Sequence, residues 1–383
     1  MDGTSRLFFN LLGQAVGDEG CNATEELSEQ TLRELFLLSK KHDLAHLIGF
    51  SLEKAGALPE GKAKEHFSKE QMLALYRYRR MEYEYGRICA LFEEEGIDYM
   101  PLKGAVLRAF YPEPWMRTSC DIDLLIKEEQ TDSAIALLKD RLNCKTDGQK
   151  TFHDVHVHTE SGVHLELHYN IKEEIEPMDG VLLQVWDYAL PEKDHPHRHL
   201  QSPEYLVFHQ IAHAAYHFIK GGCGVRPLLD LWLLKKKTIF DEKKLSALLK
   251  EAELTLFAEK LFLLAEVWFE GREHCPLTLE MEEYVLGAGV YGTVENAVAM
   301  GQEGENGKTR YLLSQIFMPY KKLKERYPVL KKHPLLFPFF TVYRWFKILF
   351  CKKDLALKTV QSNGKLSKDR IKRVNALKKD LGL

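Results

Sequence analysis

The sequence lacks several patterns that define common protein classes. Its seven cysteines among 383 residues are odd in number and scattered, and no C-x-x-C pair occurs. A disulfide scaffold and a cysteine-based zinc site are therefore excluded, which favours free thiols in a reducing cytoplasm. No uncharged apolar run reaches the ~18 residues of a spanning helix. The first residues also lack a basic segment followed by an apolar one, so neither a membrane span nor a signal peptide is expected.

The sixteen histidines contain no H-E-x-x-H motif. His209, His213 and His217 follow one another at helical spacing, but ~12 Å separates the outer two, so at most one adjacent pair can share a metal. His164 and His168 lie ~13 Å apart if they share a strand. A zinc hydrolase is therefore disfavoured. Two readings remain open: half-buried polar residues of a cleft wall, or, for His168 and His213, cleft residues beside a substrate.

The net charge of −3 conceals two oppositely charged parts. Residues 306–383 contain 20 Lys and Arg against 4 Asp and Glu, or +16, so the preceding residues carry −19. Such a basic segment either binds nucleic acid or anionic lipid, or folds back on the acidic remainder. Leu366, Ile371, Val374 and Leu377 recur near helical spacing among the lysines, which favours a docked helix.

The most informative motif is Asp121-x-Asp123 in the run CDIDLLI. The run is typical of a short strand, in which residues two apart point to the same side with ~6 to 7 Å between their Cα atoms. Both carboxylates then face one way, while Ile122 and Leu124 turn inward. Two anionic oxygen ligands at that distance suit a divalent cation, with Mg²⁺ as the expected ion.

The segments around this motif predict a phosphate-binding turn and a third acid. Upstream, GIDYMPLKG predicts a strand over residues 97–102 that ends at Lys103 and Gly104, where a glycine allows close approach to a phosphate. Downstream, SGVHLELHYNI alternates, so that Glu166 lies on the polar face of another strand. The preceding run TFHDVHVHT is expected to pair with that strand through a turn at residues 160–162.

Together these segments resemble an uncharacterised bacterial nucleotidyltransferase family of the polymerase-β-like superfamily. The shared pattern is LKG, then YPEPWMRTSCDIDLLI, then HLELHY. The resemblance implies that Asp121, Asp123 and Glu166 are catalytic residues and ligands of Mg²⁺ or Mn²⁺. It also implies that Lys103, Gly104 and Arg117 bind the nucleotide.

The function implied by this resemblance is transfer of a nucleoside monophosphate from an NTP to an acceptor hydroxyl by two-metal catalysis. The acceptor is a small molecule, a protein or an RNA end. One departure keeps an alternative open, because Ala105 follows Gly104 where the superfamily usually has a serine or glycine. The alternative is a catalytically inactive nucleotide-binding or regulatory partner protein.

The predicted fold class is α+β, with a small polymerase-β-like sheet core flanked by helical regions. Four regions are expected: an N-terminal helical region at 1–95, the nucleotidyltransferase core at 96–175, a helical region at 176–305 and a basic helical region at 306–383. One long helix is predicted from Ser68 to Gly96. The pair Arg226 and Asp230 is read either as a contact across one helical turn or as part of the cleft. Residues 332–350 predict a core or interface helix in preference to a membrane-surface helix.

Overall fold

A computed structural model describes residues 3–17, 27–146, 150–290, 292–302, 307–327, 329–351 and 353–383. The chain forms two compact units. The first unit comprises residues 1–213 and 225–278, and the second comprises residues 214–224 and 279–383. Five of the described cysteines form no disulfide: Cys89, Cys120, Cys144, Cys223 and Cys275. Cys21 and the side chain of Cys351 lie outside what the structure describes.

The first unit begins with four helices: α1 (Gly3–Val16), α2 (Glu29–Lys41), α3 (Ala45–Lys54) and α4 (Lys62–Glu94). Ser28 caps α2, because its side chain accepts a hydrogen bond from the backbone N–H of Thr31 at 3.1 Å. Helix α4 begins six residues before the predicted start at Ser68. Gly61, with a φ of 131°, interrupts the helical backbone, and residues 62–67 contain nothing that disfavours a helix.

A mixed sheet of six strands forms the centre of the first unit. The strands are β1 (Tyr99–Pro101), β2 (Asp121–Ile126), β3 (Asp154–His158), β4 (His164–His168), β5 (Ala189–Glu192) and β6 (His195–Gln201). Their order is β3-β4-β2-β1-β6-β5. Strand β2 runs parallel to β4 and antiparallel to β1, and β3 and β4 form the predicted hairpin. The sheet and its flanking helices confirm the α+β class.

Strands β5 and β6 were not predicted, because residues 176–305 were read as helical. Strand β5 is only four residues long and partly exposed, and β6 is largely polar and mostly half-exposed. Neither strand therefore shows the alternation of buried apolar and exposed polar residues that marks a strand in the sequence. The helices of the first unit that follow β1 are α5 (Gly104–Leu107), α6 (Thr131–Leu142), α7 (Met178–Leu182), α8 (Pro203–Ile219), α9 (Arg226–Lys237), α10 (Glu242–Glu251) and α11 (Thr255–Glu270). Helix α8 continues into the second unit.

The two faces of β2, β3 and β4 differ sharply. One face is apolar and packs in a core that includes residues of α4 and α6; its strand residues are Ile122, Leu124, Ile126, Val155, Val157, Leu165 and Leu167. The alternation of side chains across a strand sends the polar residues to the other face. Burial of the aliphatic face therefore determines the side on which the acids lie.

The second unit contains the remaining helices: α12 (Pro276–Ala288), which begins in the first unit, α13 (Val294–Met300), α14 (Gly307–Ile316), α15 (Tyr320–Arg326), α16 (Val329–Lys332), α17 (Phe337–Cys351), α18 (Lys353–Lys365) and α19 (Lys368–Asp380). The described part of the basic segment is thus helical, as predicted. Helix α19 packs on α13, where Arg370 donates to the side chain of Asn296 at 2.9 Å. Val374 and Leu377 are buried there.

Of the two alternatives predicted for helix α17, a core helix is wrong, whereas an interface helix stays a prediction. Phe339, Phe346 and Phe350 are 64%, 55% and 81% exposed. Arg344 is buried instead, and its guanidinium donates to the backbone carbonyl of Ile316 at 3.1 Å. No helix in the described part of the chain combines the length and apolarity needed to cross a bilayer.

Candidate active site

The three predicted carboxylates lie on the polar face of the sheet. Asp123 is the direct neighbour of Glu166 across the parallel β2–β4 pair, and Asp121 is the neighbour of His164. Residues in register on parallel strands point to the same face, so the pairing brings Glu166 to the Asp-x-Asp motif. One ligand atom each from Asp123, Glu166 and His168 lies within 4.8 Å of the others. Asp121 occupies the same face but is not part of that close group.

The turn after β1 brings a lysine onto this face. The backbone N–H of Leu102 donates to the carbonyl of Asp123 at 3.0 Å, which places the next residue beside the motif. Lys103 Nζ then donates to Asp123 Oδ1 at 2.8 Å. Lys103 has a φ of 43°, an uncommon conformation for a residue with a side chain, and such conformations cluster at functional sites.

Gly104 leaves little room for a side chain in this turn. A Cβ atom at position 104 would lie 3.0 Å from both Cβ and Oγ of Ser119. The Ser119 hydroxyl donates to the backbone carbonyl of Asp121 and accepts from Arg108 Nη2. The closest hydroxyl to the Gly104 turn is therefore already engaged in holding the start of β2.

Opposite charges surround Asp123. Burial alone would raise the pKa of Asp123, but the Lys103 ammonium and the His168 imidazole outweigh it and hold that pKa well below its usual range. His168 Nε2 lies 3.0 Å from Asp123 Oδ1 and 3.5 Å from Glu166 Oε2. Burial opposes the charged imidazole, yet hydrogen bonds to these two carboxylates raise the pKa of His168 to about 9.

The surroundings of Asp121 shift its pKa in the opposite direction. Burial, together with the Asp123 and Glu166 carboxylates, raises the pKa of Asp121 to about 6. None of the described side chains donates a hydrogen bond to its carboxylate. Oxygen donors that repel one another on a half-buried face are a suitable donor set for a hard divalent cation. Asp121, Asp123 and Glu166 therefore fit Mg²⁺ or Mn²⁺ by the chemistry of their atoms.

The charged His168 makes stability depend on pH. Its folded-state pKa of about 9 exceeds the ordinary value of 6.5, so its contribution is fully present below pH 6.5 and is lost as pH rises to 9. Across that range, we expect the free energy of unfolding to fall by about 2 to 3 kcal/mol more in the wild-type protein than in His168→Gln. Urea unfolding with chelator present at pH 6.5 and 9 measures the difference. Equal losses would show that His168 is neutral in the folded protein.

Arg117 lies beside the Gly104 turn but is bound to another element. Its guanidinium donates from Nε and Nη2 to the two carboxylate oxygens of Asp230 on α9, at 3.1 and 3.0 Å, and from Nη1 to the carbonyl of Thr118 at 2.7 Å. Tyr111 adds a hydrogen bond to Asp230 at 2.8 Å. Since a guanidinium has five N–H groups, two remain, and nucleotide binding by Arg117 stays a prediction.

Arg226 and Asp230 do not contact each other across one helical turn, so that alternative for the pair is wrong. Arg226 instead binds Asp43, with Nη2 at 2.6 Å from Oδ2, and Asp43 also accepts from Thr118 at 3.0 Å. Arg226 and Asp230 therefore hold neighbouring residues of the segment that precedes β2. This network connects α9 and the α2–α3 turn to the start of the Asp-x-Asp strand.

His213 is paired with an acid that the sequence did not single out. Its Nδ1 lies 2.7 Å from Glu173 Oε1. Burial and the nearby Lys103 ammonium lower the pKa of His213 well below its usual value. A neutral imidazole near Lys103 is compatible with the predicted cleft position. No alternation marks Glu173, because it lies in the loop after β4.

A second feature missed by the sequence reading is the contact between His156 and His164. Their ring nitrogens Nδ1 and Nε2 are 2.9 Å apart. The alternation in both strands and the short turn at residues 160–162 predicted the hairpin. The contact between the two histidines could be found only from the register of that hairpin, which places His156 opposite Glu166 and His158 opposite His164.

A family model described as uncharacterised nucleotidyltransferase matches residues 28–270. The match covers more than half of the chain and includes the Lys103–Gly104 turn, both motif aspartates and Glu166. No curated protein and no solved structure is significantly similar to the chain. Together with the confirmed α+β fold, the match supports nucleotidyl transfer as the general activity. The chain belongs to the family of uncharacterised nucleotidyltransferases.

Proposed function

We propose that this protein transfers a nucleoside monophosphate from an NTP to an acceptor hydroxyl. The observation that carries the proposal is the convergence of Asp121, Asp123 and Glu166 on one sheet face, beside the Lys103–Gly104 turn. In the reaction, the acceptor oxygen forms a bond to the α-phosphorus. The bond from that phosphorus to the bridging oxygen breaks, and pyrophosphate leaves.

Asp121 and Asp123 would hold two Mg²⁺ or Mn²⁺ ions, with Glu166 completing the site nearer the acceptor. When bound, these ions supply charge neutralisation at the phosphates and a lower pKa for the attacking hydroxyl. The protein contributes orientation. His168 donates to Asp123 and restrains its carboxylate, and Glu166 is placed to accept the hydroxyl proton. Lys103, whose ammonium donates to Asp123 Oδ1, would bind the triphosphate through a charge-assisted hydrogen bond.

The acceptor is a small molecule, a protein or an RNA end, selected by the surroundings of the sheet. The net charge of +16 in residues 306–383 makes nucleic acid a candidate partner of the second unit. The five cysteines that form no disulfide favour the cytoplasm.

The alternative, a catalytically inactive nucleotide-binding or regulatory partner, has one specific observation in its favour. Ala105 offers no hydroxyl after Gly104, and the nearby hydroxyl of Ser119 is held by Arg108 and the Asp121 carbonyl. The turn therefore provides one phosphate ligand fewer than a Gly-Ser turn does. Binding of NTP without release of pyrophosphate is the behaviour that this alternative requires.

The deciding experiment follows the label of each α-³²P NTP. Purified protein is incubated with Mg²⁺ or Mn²⁺ and a cell extract, and both label transfer and pyrophosphate release are measured. We expect at least one NTP to label an acceptor, with no labelling by Asp121→Asn. Nucleotide binding without pyrophosphate release under every condition would refute the transferase and leave the regulatory alternative.

Lys103 tests the nucleotide site separately from catalysis. We expect Lys103→Ala to weaken NTP binding by about 1.5 to 3 kcal/mol, the range for a charged hydrogen bond. Lys103→Arg should restore only part of this, because the guanidinium differs in shape and reach. Titration calorimetry with the NTP that supports transfer measures both. Unchanged affinity together with a lower melting temperature would assign Lys103 to the ion pair with Asp123 alone.

A further inference from the structure

We propose that the edge of the sheet carries a second cation site, formed by His156, His164 and Glu166, that takes a first-row transition ion such as Zn²⁺. One ligand atom from each of the three residues lies within 4.8 Å of the other two. Two imidazoles and one carboxylate make up the protein ligand set of several zinc enzymes, in which a fourth position stays open.

The hairpin register creates this group. His156 on β3 is the direct neighbour of Glu166 on β4, and His164 precedes Glu166 by two residues on the same face. The nitrogens of His156 and His164 are 2.9 Å apart. Two Zn–N bonds of ~2.05 Å at a tetrahedral angle require nitrogens ~3.3 Å apart. An opening of ~0.4 Å, within reach of small rotations of two side chains, is therefore sufficient.

The chemistry of this group differs from that of the Asp-x-Asp site. Mg²⁺ strongly prefers oxygen ligands, whereas imidazole nitrogen suits Zn²⁺, Co²⁺ and Ni²⁺. β3 is the last strand on its side of the sheet, and the His156 side chain is 45% exposed. An ion can therefore enter from solvent without any rearrangement of the core.

The other group on this face with two histidines consists of His153, Asp154 and His168. Its carboxylate already has internal partners. Asp154 accepts from Thr151 Oγ1 at 2.6 Å with one carboxylate oxygen and contacts His153 Nε2 at 3.0 Å with the other. Its carboxylate is buried. The ligand that would join His153 and His168 into a metal site is thus committed to internal contacts. Glu166 is less constrained, since its contact with His168 is 3.5 Å long.

Glu166 belongs both to this group and to the carboxylates assigned to catalysis. An ion held by His156 and His164 would draw Glu166 away from Asp123. This consequence rests on the proposed function: Zn²⁺ should then inhibit transfer by occupying the edge of the sheet. Binding of the ion does not depend on catalysis.

The binding test uses the full chain, freed of metal with a chelator, and titrates it with Zn²⁺ by calorimetry and with Co²⁺ by visible absorption. We expect His156→Ala and His164→Ala each to weaken binding at least tenfold, because loss of an indirect partner alone costs 10- to 100-fold. His195→Ala, which removes an exposed imidazole from β6, is the matched control and should bind as the wild type does.

Two results would overturn the site. One is Zn²⁺ affinity that changes no more in His164→Ala than in His195→Ala. The other is affinity that depends on Asp123→Asn and not on His156, because the ion would then occupy the inner group of Asp123, Glu166 and His168. Melting curves of the metal-free variants verify that each is folded.

A kinetic arm tests the link to the active site. With Mg²⁺ saturating, His156→Ala should keep the wild-type transfer rate and require at least tenfold more Zn²⁺ for half inhibition. Equal sensitivity of both proteins to Zn²⁺ would refute the regulatory role. Failure of the proposed function would appear differently, as absence of transfer with Mg²⁺ alone, while the Zn²⁺ titration still decides the edge site.

Discussion

Asp121→Asn is expected to remove nucleotidyl transfer and, at the same time, to make the metal-free protein more stable. The folded-state pKa of Asp121 is raised to about 6 by burial and by the Asp123 and Glu166 carboxylates. A raised carboxyl pKa means that ionisation destabilises the folded protein above that pH. Neutral asparagine removes this penalty, so we expect the free energy of unfolding to rise by about 1 to 3 kcal/mol at pH 7.

The activity of the same variant should fall about a thousandfold. Loss of one anionic ligand removes charge stabilisation worth several kcal/mol in the transition state, and ~4 kcal/mol corresponds to that factor. The rate of label transfer at saturating Mg²⁺ measures the loss. A residual rate within tenfold of wild type would remove Asp121 from the catalytic group.

Asp123→Asn is the matched comparison. This variant should lose activity to a similar degree but should lower the melting temperature, because Lys103 and His168 both donate to the Asp123 carboxylate. Opposite changes in the melting temperatures of the two variants would verify the charge arrangement. Equal changes would contradict it.

Asp230→Ala is expected to have the largest effect on stability. Asp230 is buried and binds Arg117 through both carboxylate oxygens, with Tyr111 as a third partner. Its removal leaves the Arg117 guanidinium, itself only 11% exposed, without a counterion. Breaking a buried pair in this way costs about 3 to 5 kcal/mol. Urea unfolding of the metal-free protein measures the change.

Two controls separate the ion pair from general disruption of the core. The double variant Arg117→Met with Asp230→Leu removes both charges, and it should regain most of the lost stability. Asp43→Ala breaks the pair with Arg226, but the Asp43 side chain is 31% exposed, so a smaller loss is expected. If Asp230→Ala lowers the free energy of unfolding no more than Asp43→Ala does, the ion pair of Arg117 with Asp230 does not stabilise the segment before β2 more than the Asp43 pair does.

The sequence was sufficient to predict which face of the sheet carries the three acids. Alternation over Asp121–Ile122–Asp123–Leu124 and along VHLELHY separates the acids from aliphatic residues. Burial of the aliphatic side places Asp121, Asp123 and Glu166 on the same face. The hairpin of β3 and β4 and the helical N-terminal and C-terminal segments followed from equally local patterns. Such patterns are readable because neighbouring residues determine the period of side chains in a helix or a strand.

Contacts between distant segments were decided only by the tertiary structure. Arg117 and Asp230 are 113 residues apart in the chain, and nothing local marks them as partners. The same holds for Lys103 with Asp123, for Arg226 with Asp43 and for strands β5 and β6, which extend the sheet. Which charges meet depends on how the helices pack around the sheet, and that packing is set by the whole apolar core. Residue type and spacing therefore reveal the chemistry of the candidate site, whereas the protonation and partners of its residues depend on the complete fold.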